Sequence, residues 1–124
     1  MSNVLIIEKH DYLCNLWGGV LDRFNHDGAV VRDAKGGLEL LEIMRPDLVI
    51  CHIPRPGKED KNFLEYLKGF FKEVPVIGIG DYDENLTSFF DGFFNLYPRN
   101  DNGKFRVFSL EDMHDYIEHY SKKR

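Results

Sequence analysis

The sequence predicts an α/β domain in which a doubly wound, five-stranded parallel sheet is covered by helices on both faces. Short apolar runs alternate along the chain with segments of helical period, and the runs are near-continuous in Val, Ile and Leu, as strands buried on both faces must be. A chain of 124 residues, 43% hydrophobic and 30% charged, is the size and composition of one domain with one core. Residues 1–124 are therefore expected to form a single unit.

The elements follow in order. Val4 to Ile7 is an apolar strand closed by Glu8. A helix starts at about Asp11 and sets Leu13, Leu16, Val20 and Phe24 on one face. Gly18-Gly19 inside it costs about 1 kcal/mol per glycine relative to alanine, which points to a kink or close packing. Ala29 to Arg32 is the second strand, and the next helix buries Leu38, Leu41 and Met44.

The run from Pro46 to Gly57 reads as a helix exit, a strand from Leu48 to Cys51 ending at His52, and a sharp Pro/Gly turn. A helix from near Asp60 presents Phe63, Leu67, Phe70 and Phe71; the fourth strand is Val76 to Ile79. A shorter helix from Glu84 to Phe90 precedes the last strand, Phe93 to Leu96. Asn102-Gly103 is a hairpin-turn dipeptide, so Phe105 to Phe108 is expected to fold back as a flap beside that strand. The final helix is the best signposted. Ser109-Leu110-Glu111-Asp112 supplies a capping hydroxyl and first-turn acids, and Met113, Ile117 and Tyr120 recur at helical spacing.

Charge and cysteine usage exclude several classes. A net charge of -5, with Lys122-Lys123-Arg124 as the one basic cluster, argues against a nucleic-acid partner. The start of the chain lacks a basic leader and a run long enough to span a membrane, so a cytoplasmic, stand-alone protein is expected. Cys14 and Cys51 have no metal-ligand spacing and are expected to be buried, reduced thiols.

The Val4 to Glu8 strand with its acidic corner, the Pro46 to Pro56 strand and turn, Pro75-Val76-Ile77-Gly78-Ile79, the Gly92 to Pro98 stretch and the closing amphipathic helix together resemble the response-regulator receiver domain. The resemblance covers nearly the whole chain. It implies the flavodoxin-like, chemotaxis-type fold, (βα)5, and a place in two-component-like signal transduction.

Its chemistry has to be carried over position by position. A receiver holds magnesium with two acids after its first strand and with the phospho-accepting aspartate, since a hard cation wants oxygen ligands. Here Glu8 is kept, but Lys9 follows it, and an ammonium offers no lone pair. Lys9 can instead stand in for the metal's charge. The acceptor aspartate corresponds to His52, the hydroxyl residue after the fourth strand to Gly80, and the lysine before a proline to Tyr97. Nor does Lys58-Glu59-Asp60 reproduce the family's turn. No magnesium or other cofactor is expected, and no enzymatic activity; the resemblance implies a phosphorylation-independent pseudo-receiver.

Glu8, Lys9, His10, His52 and Asp81 are expected at one end of the sheet as a hydrogen-bonded cluster. A rival places a zinc or nickel site, another ligand or a pH sensor on Glu8, His10, His52 and Asp81. A phosphohistidine at His52 is a further alternative, and so is the receiver part of a larger transcriptional regulator. The expected working surface is aromatic: Phe89, Phe90, Phe93, Phe94 and Tyr97, where a partner protein or a second copy would dock through the fourth helix, fifth strand and fifth helix. Core filling by the same phenylalanines is the competing expectation.

Overall fold

The computed structural model describes residues 2–52, 57–79, 88–94 and 109–121. Among them the elements are β1 (Asn3–Glu8), α1 (Asp11–Arg23), β2 (Asp27–Val31), α2 (Ala34–Met44), β3 (Leu48–His52), α3 (Lys58–Phe70), β4 (Val76–Ile79), β5 (Gly92–Phe94) and α4 (Leu110–Tyr120). The strands form one five-stranded sheet in the order β2-β1-β3-β4-β5. Every neighbouring pair is parallel.

Each strand serves two cores because successive side chains point to opposite faces. Val4, Ile6, Leu48, Ile50, Ile77 and Ile79 face Leu13, Trp17, Val20 and Leu21 of α1 and Met113 and Ile117 of α4. Leu5, Ile7, Val49, Cys51 and Val76 face Leu41 of α2 and Phe63, Leu64 and Leu67 of α3. Both layers are apolar, which is why β1, β3 and β4 read as unbroken apolar runs. Gly37 is packed tightly between α2, the sheet and α3: a Cβ there would stand 2.9 Å from Cδ1 of Ile7 and 3.2 Å from Cε1 of Phe63, so the Ile7 end would have to shift.

Local chemistry sets the helix ends. Asp33 caps α2 by accepting the Gly36 N–H at 2.7 Å. Asp60 accepts the Gly57 N–H at 2.9 Å before α3. The expected cap on the final helix is present in both directions, Ser109 Oγ accepting Asp112 N–H at 3.1 Å and Asp112 Oδ2 accepting Ser109 N–H at 2.8 Å. The opposite end of the sheet is tied by Asn3, whose Nδ2 donates to the Met44 carbonyl at 2.6 Å and whose N–H donates to Asp47 at 3.0 Å.

Several sequence expectations are corrected. Leu38 and Phe70, assigned to buried faces, are 43% and 74% exposed. In α2 the fully buried residues are Ala34, Gly37 and Leu41, and Met44 packs partly buried against the core, so Leu38 is the one misplaced residue of the expected stripe. α3 starts at Lys58, and Phe63, Leu64 and Leu67 fill its inner face, leaving Phe70 outside. Residues 88–90 form a turn rather than the end of a helix, and 80–87 lie outside the described residues. The Asn102-Gly103 hairpin also lies outside them, as do residues 95–108 generally. Cys51 is buried as expected, but Cys14 is only half-buried.

Gly18-Gly19 is a second correction. α1 runs through both glycines, and a Cβ at either position meets no atom within 4 Å. Neither a close contact nor a break explains them. Gly18→Ala and Gly19→Ala should each raise stability by about 1 kcal/mol through helix propensity. Urea unfolding of the two variants checks this, with a lowered midpoint as the contrary result.

Candidate functional site

Chain order reverses across the β1–β3 pair, so the crevice beyond the carboxyl ends of these strands is the switch point where ligands collect in doubly wound sheets. The two residues that end the strands there, Glu8 and His52, are register partners. Strand pairing alone therefore brings them face to face. Glu8 is only 1% exposed, and His52 Nδ1 lies 2.7 Å from both of its carboxylate oxygens. The backbone N–H of Lys9 donates to Oε2 at 3.0 Å.

A buried carboxylate without partners costs several kcal/mol, and this one is satisfied internally. His52 donates Nδ1–H to Glu8, so the ring is fixed in orientation with Nε2 on its far side. The pair is an ion pair only when the ring is protonated; a neutral ring makes the same hydrogen bond. Cys14 Sγ donates to the Glu8 carbonyl at 3.1 Å, tying α1 to the same strand end. Burial pushes the Cys14 thiol up in spite of the Arg32 charge nearby. Burial also raises the Cys51 thiol, and the Asp60 charge adds to it, so neither cysteine is a poised nucleophile.

Lys9 and His10 are exposed at the edge of this arrangement. His10 precedes α1 without a side-chain capping bond. Asp11, the other acid beside the β1–α1 loop, is engaged by the Arg32 guanidinium, which also donates to the Lys9 carbonyl at 3.3 Å. Gly80, Asp81 and Tyr97 lie outside the described residues, so the cluster proposed from sequence is described for Glu8, Lys9, His10 and His52.

The aromatic surface divides. Phe90 is buried, with its ring 5.4 Å from that of Phe93, and Phe89 and Phe93 pack partly buried against the α2–α3 core. These three contribute to core packing. The Phe94 side chain and Tyr97 lie outside the described residues.

Two features were missed from sequence. Ile43 and Phe70 are 79% and 74% exposed, and Phe70 lines a cavity of about 580 Å³ with Glu42, Arg45, Asp47 and Lys72 at the amino-terminal end of β3. Helical periodicity alone puts Phe70 on the same stripe as Phe63 and Leu67, and gives no sign of its exposure. A cluster of His26, His114 and Glu118 lies at the α1–β2 turn and α4. The i, i+4 spacing of His114 and Glu118 is legible in the sequence, but its meaning depends on His26, which is 88 positions away from His114. Among the described residues no helix is long and apolar enough to cross a membrane.

No protein-family model matches the chain, and comparison with curated proteins finds none similar in sequence. Solved structures do match. The pseudo-receiver domain of the CikA protein is 17% identical over 77% of this chain and 84% of that one, with a TM-score of 0.64. The Vibrio cholerae chemotaxis protein CheY4 is 12% identical over 97% and 98%, with a TM-score of 0.74. NtrX from Brucella abortus, solved in complex with ATP, is 18% identical with a TM-score of 0.71; 96% of this chain spans 26% of NtrX. The likeness is one of fold: the chain has the flavodoxin-like fold of receiver and pseudo-receiver domains.

Proposed function

We propose that this chain is a phosphorylation-independent receiver domain, a non-catalytic protein-interaction module of signal transduction acting in the cytoplasm. The observation that carries the proposal is the Glu8–His52 pair. At the switch point of the sheet, the carboxylate that would help hold a divalent cation is consumed by His52 and by the Lys9 N–H. An imidazole at the end of β3 lacks the oxygen geometry for magnesium-assisted transfer, and Lys9, next in the chain to Glu8, offers no lone pair to an ion. Likeness of fold to the CikA pseudo-receiver is consistent with this and supplies no activity by itself.

With Phe89, Phe90 and Phe93 in or against the core, the partner surface is better sought at Phe94 and Tyr97 and at exposed Ile43 and Phe70. A second copy of the chain is one such partner. The rival function, metal or ligand binding through Glu8, His10, His52 and Asp81, would have to draw a Glu8 oxygen away from its contacts with His52 Nδ1 and the Lys9 N–H. A receiver portion of a larger regulator is a further rival, in keeping with the fraction of NtrX that the chain spans.

Thermal melting distinguishes these. A ligand at a hundred times its Kd stabilises by about 2.7 kcal/mol, which moves the melting midpoint of a domain this size by several degrees. Magnesium with beryllofluoride is expected to leave Tm where magnesium-free buffer puts it, and zinc likewise. A rise of several degrees with the first would restore phosphoryl chemistry; a rise with zinc that disappears in His52→Gln would favour the metal site.

A further inference from the structure

Away from the switch point, one group of titratable side chains is built into the domain. His26 lies in the turn between α1 and β2, and His114 and Glu118 lie one turn apart on α4. The His26 side chain is fully buried, and both its nitrogens are engaged. Nδ1 accepts the Ser2 backbone N–H at 3.1 Å, and Nε2 stands 2.9 Å from Nδ1 of His114.

The Ser2 contact fixes the tautomers. A nitrogen that accepts from an amide carries no proton, so neutral His26 is protonated on Nε2 and donates to His114 Nδ1. His114 then carries its own proton on Nε2, 4.0 Å from Glu118 Oε1. The same contact disfavours a metal among these three side chains, because the lone pair an ion would need on His26 Nε2 is occupied by hydrogen.

We propose that the His26–His114 pair is a proton-operated latch, holding α4 on the α1–β2 turn while both rings are neutral and releasing it on acidification. An added proton has no acceptor. On His114 Nδ1 it faces the His26 Nε2–H; moving the His26 proton to Nδ1 instead sets it against the Ser2 N–H. Either way two donors meet at the fully buried His26 ring.

Opposing effects are present and weaker. Glu118 Oε1 lies 3.8 Å from His26 Nε2, but its side chain is half exposed. Phe24 stacks on His114 with ring centroids 4.0 Å apart, which favours a cationic ring by about 0.5–1 kcal/mol. Asp11, Asp22 and Arg23 of α1, Asp27 of β2 and Glu111, Asp112, Asp115 and His119 of α4 are the other acidic, basic and histidine groups on the packed elements; Asp112 is half-buried, the rest are exposed, and Arg23 is paired with Glu111 at 3.3 Å. Burial, and next the His114 charge, push the His26 pKa below its ordinary value; Glu118 opposes them and the amino-terminal charge adds to the lowering. A depressed folded-state value means that the stabilisation is complete above the unfolded value of about 6.5 and is lost as pH falls below it. α4 is held by buried Met113 and Ile117, by partly buried Leu110, Tyr116 and Tyr120, by the Phe24–His114 stack and by this pair, so release is a local loosening of the helix.

Hydrogen exchange of backbone amides on the whole chain, corrected for intrinsic rates, tests the latch between pH 7.5 and 5.5. Protection of α4 relative to β1 and β3 is expected to fall by about tenfold per pH unit for each proton taken up on opening. His114→Gln keeps an acceptor for His26 and removes one titrating ring, so its dependence should be shallower; His26→Gln with His114→Gln should abolish it, while His52→Gln should leave it intact. If the double variant does not fold, His114→Gln alone decides. An unchanged slope in His114→Gln, a His26 ring titrating at or above 6.5 by NMR, or α4 protection raised by zinc at pH 7.5 would each overturn the proposal.

Discussion

Glu8→Ala is expected to destabilise the protein by about 3–5 kcal/mol, the cost of removing one member of a buried, hydrogen-bonded pair. The substitution strands His52 Nδ1–H and the Lys9 N–H, both of which end on the Glu8 carboxylate. It also opens space at a position that is 1% exposed. The cost comes from the orphaned donors rather than from a large net worth of the pair, because burying the carboxylate is itself unfavourable. Replacing both partners, Glu8→Leu with His52→Leu, should therefore recover most of the loss. Urea unfolding of the two single variants and the double variant gives the coupling energy directly. A Glu8→Ala protein within about 0.5 kcal/mol of the native one would mean that the carboxylate is not the anchor of this strand end.

Trp17→Ala should cost about 3–5 kcal/mol by a different mechanism, the loss of buried aromatic surface and the cavity left behind. Trp17 is 0% exposed and sits in the layer between α1, α4 and the sheet, among Ile6, Val20, Met113 and Ile117. Because Trp17 of α1 shares this core layer with Met113 and Ile117 of α4, the loss should loosen α4 as well as lower global stability. Trp17→Phe, which keeps an aromatic ring, should cost clearly less. Since Trp17 is the one tryptophan in the chain, circular dichroism has to follow the unfolding of these variants. Equal stability of the alanine and phenylalanine forms would show that the site collapses around the smaller side chain.

The same residues show what was legible in advance. Strands buried on both faces leave unbroken apolar runs, so β1, β3 and β4 could be placed within a residue at each end. Capping chemistry is local, so Ser109 and Asp112 announced the final helix. α2 and α3 were found, but one residue assigned to the face of each, Leu38 and Phe70, lies outside the core. Helical periodicity states which residues share a face and leaves open how far the neighbouring element extends over it. The Gly18-Gly19 pair failed for a similar reason: glycine in a helix signals either need or tolerance, and only the empty space around it tells them apart.

The sequence by itself determined the apolar strands of a parallel sheet and placed Glu8 and His52 at one end of it, because strand ends follow from apolar runs; that β1 and β3 are neighbours with Glu8 opposite His52 came from the pairing of the strands. Tertiary structure decided the rest. That Phe90 belongs to the core, that Phe70 and Ile43 do not, and that His26 closes on His114 all depend on the packing of elements distant in the chain. Local pattern carries no information about such distances, whereas burial and hydrogen-bond geometry are defined only once the layers have closed.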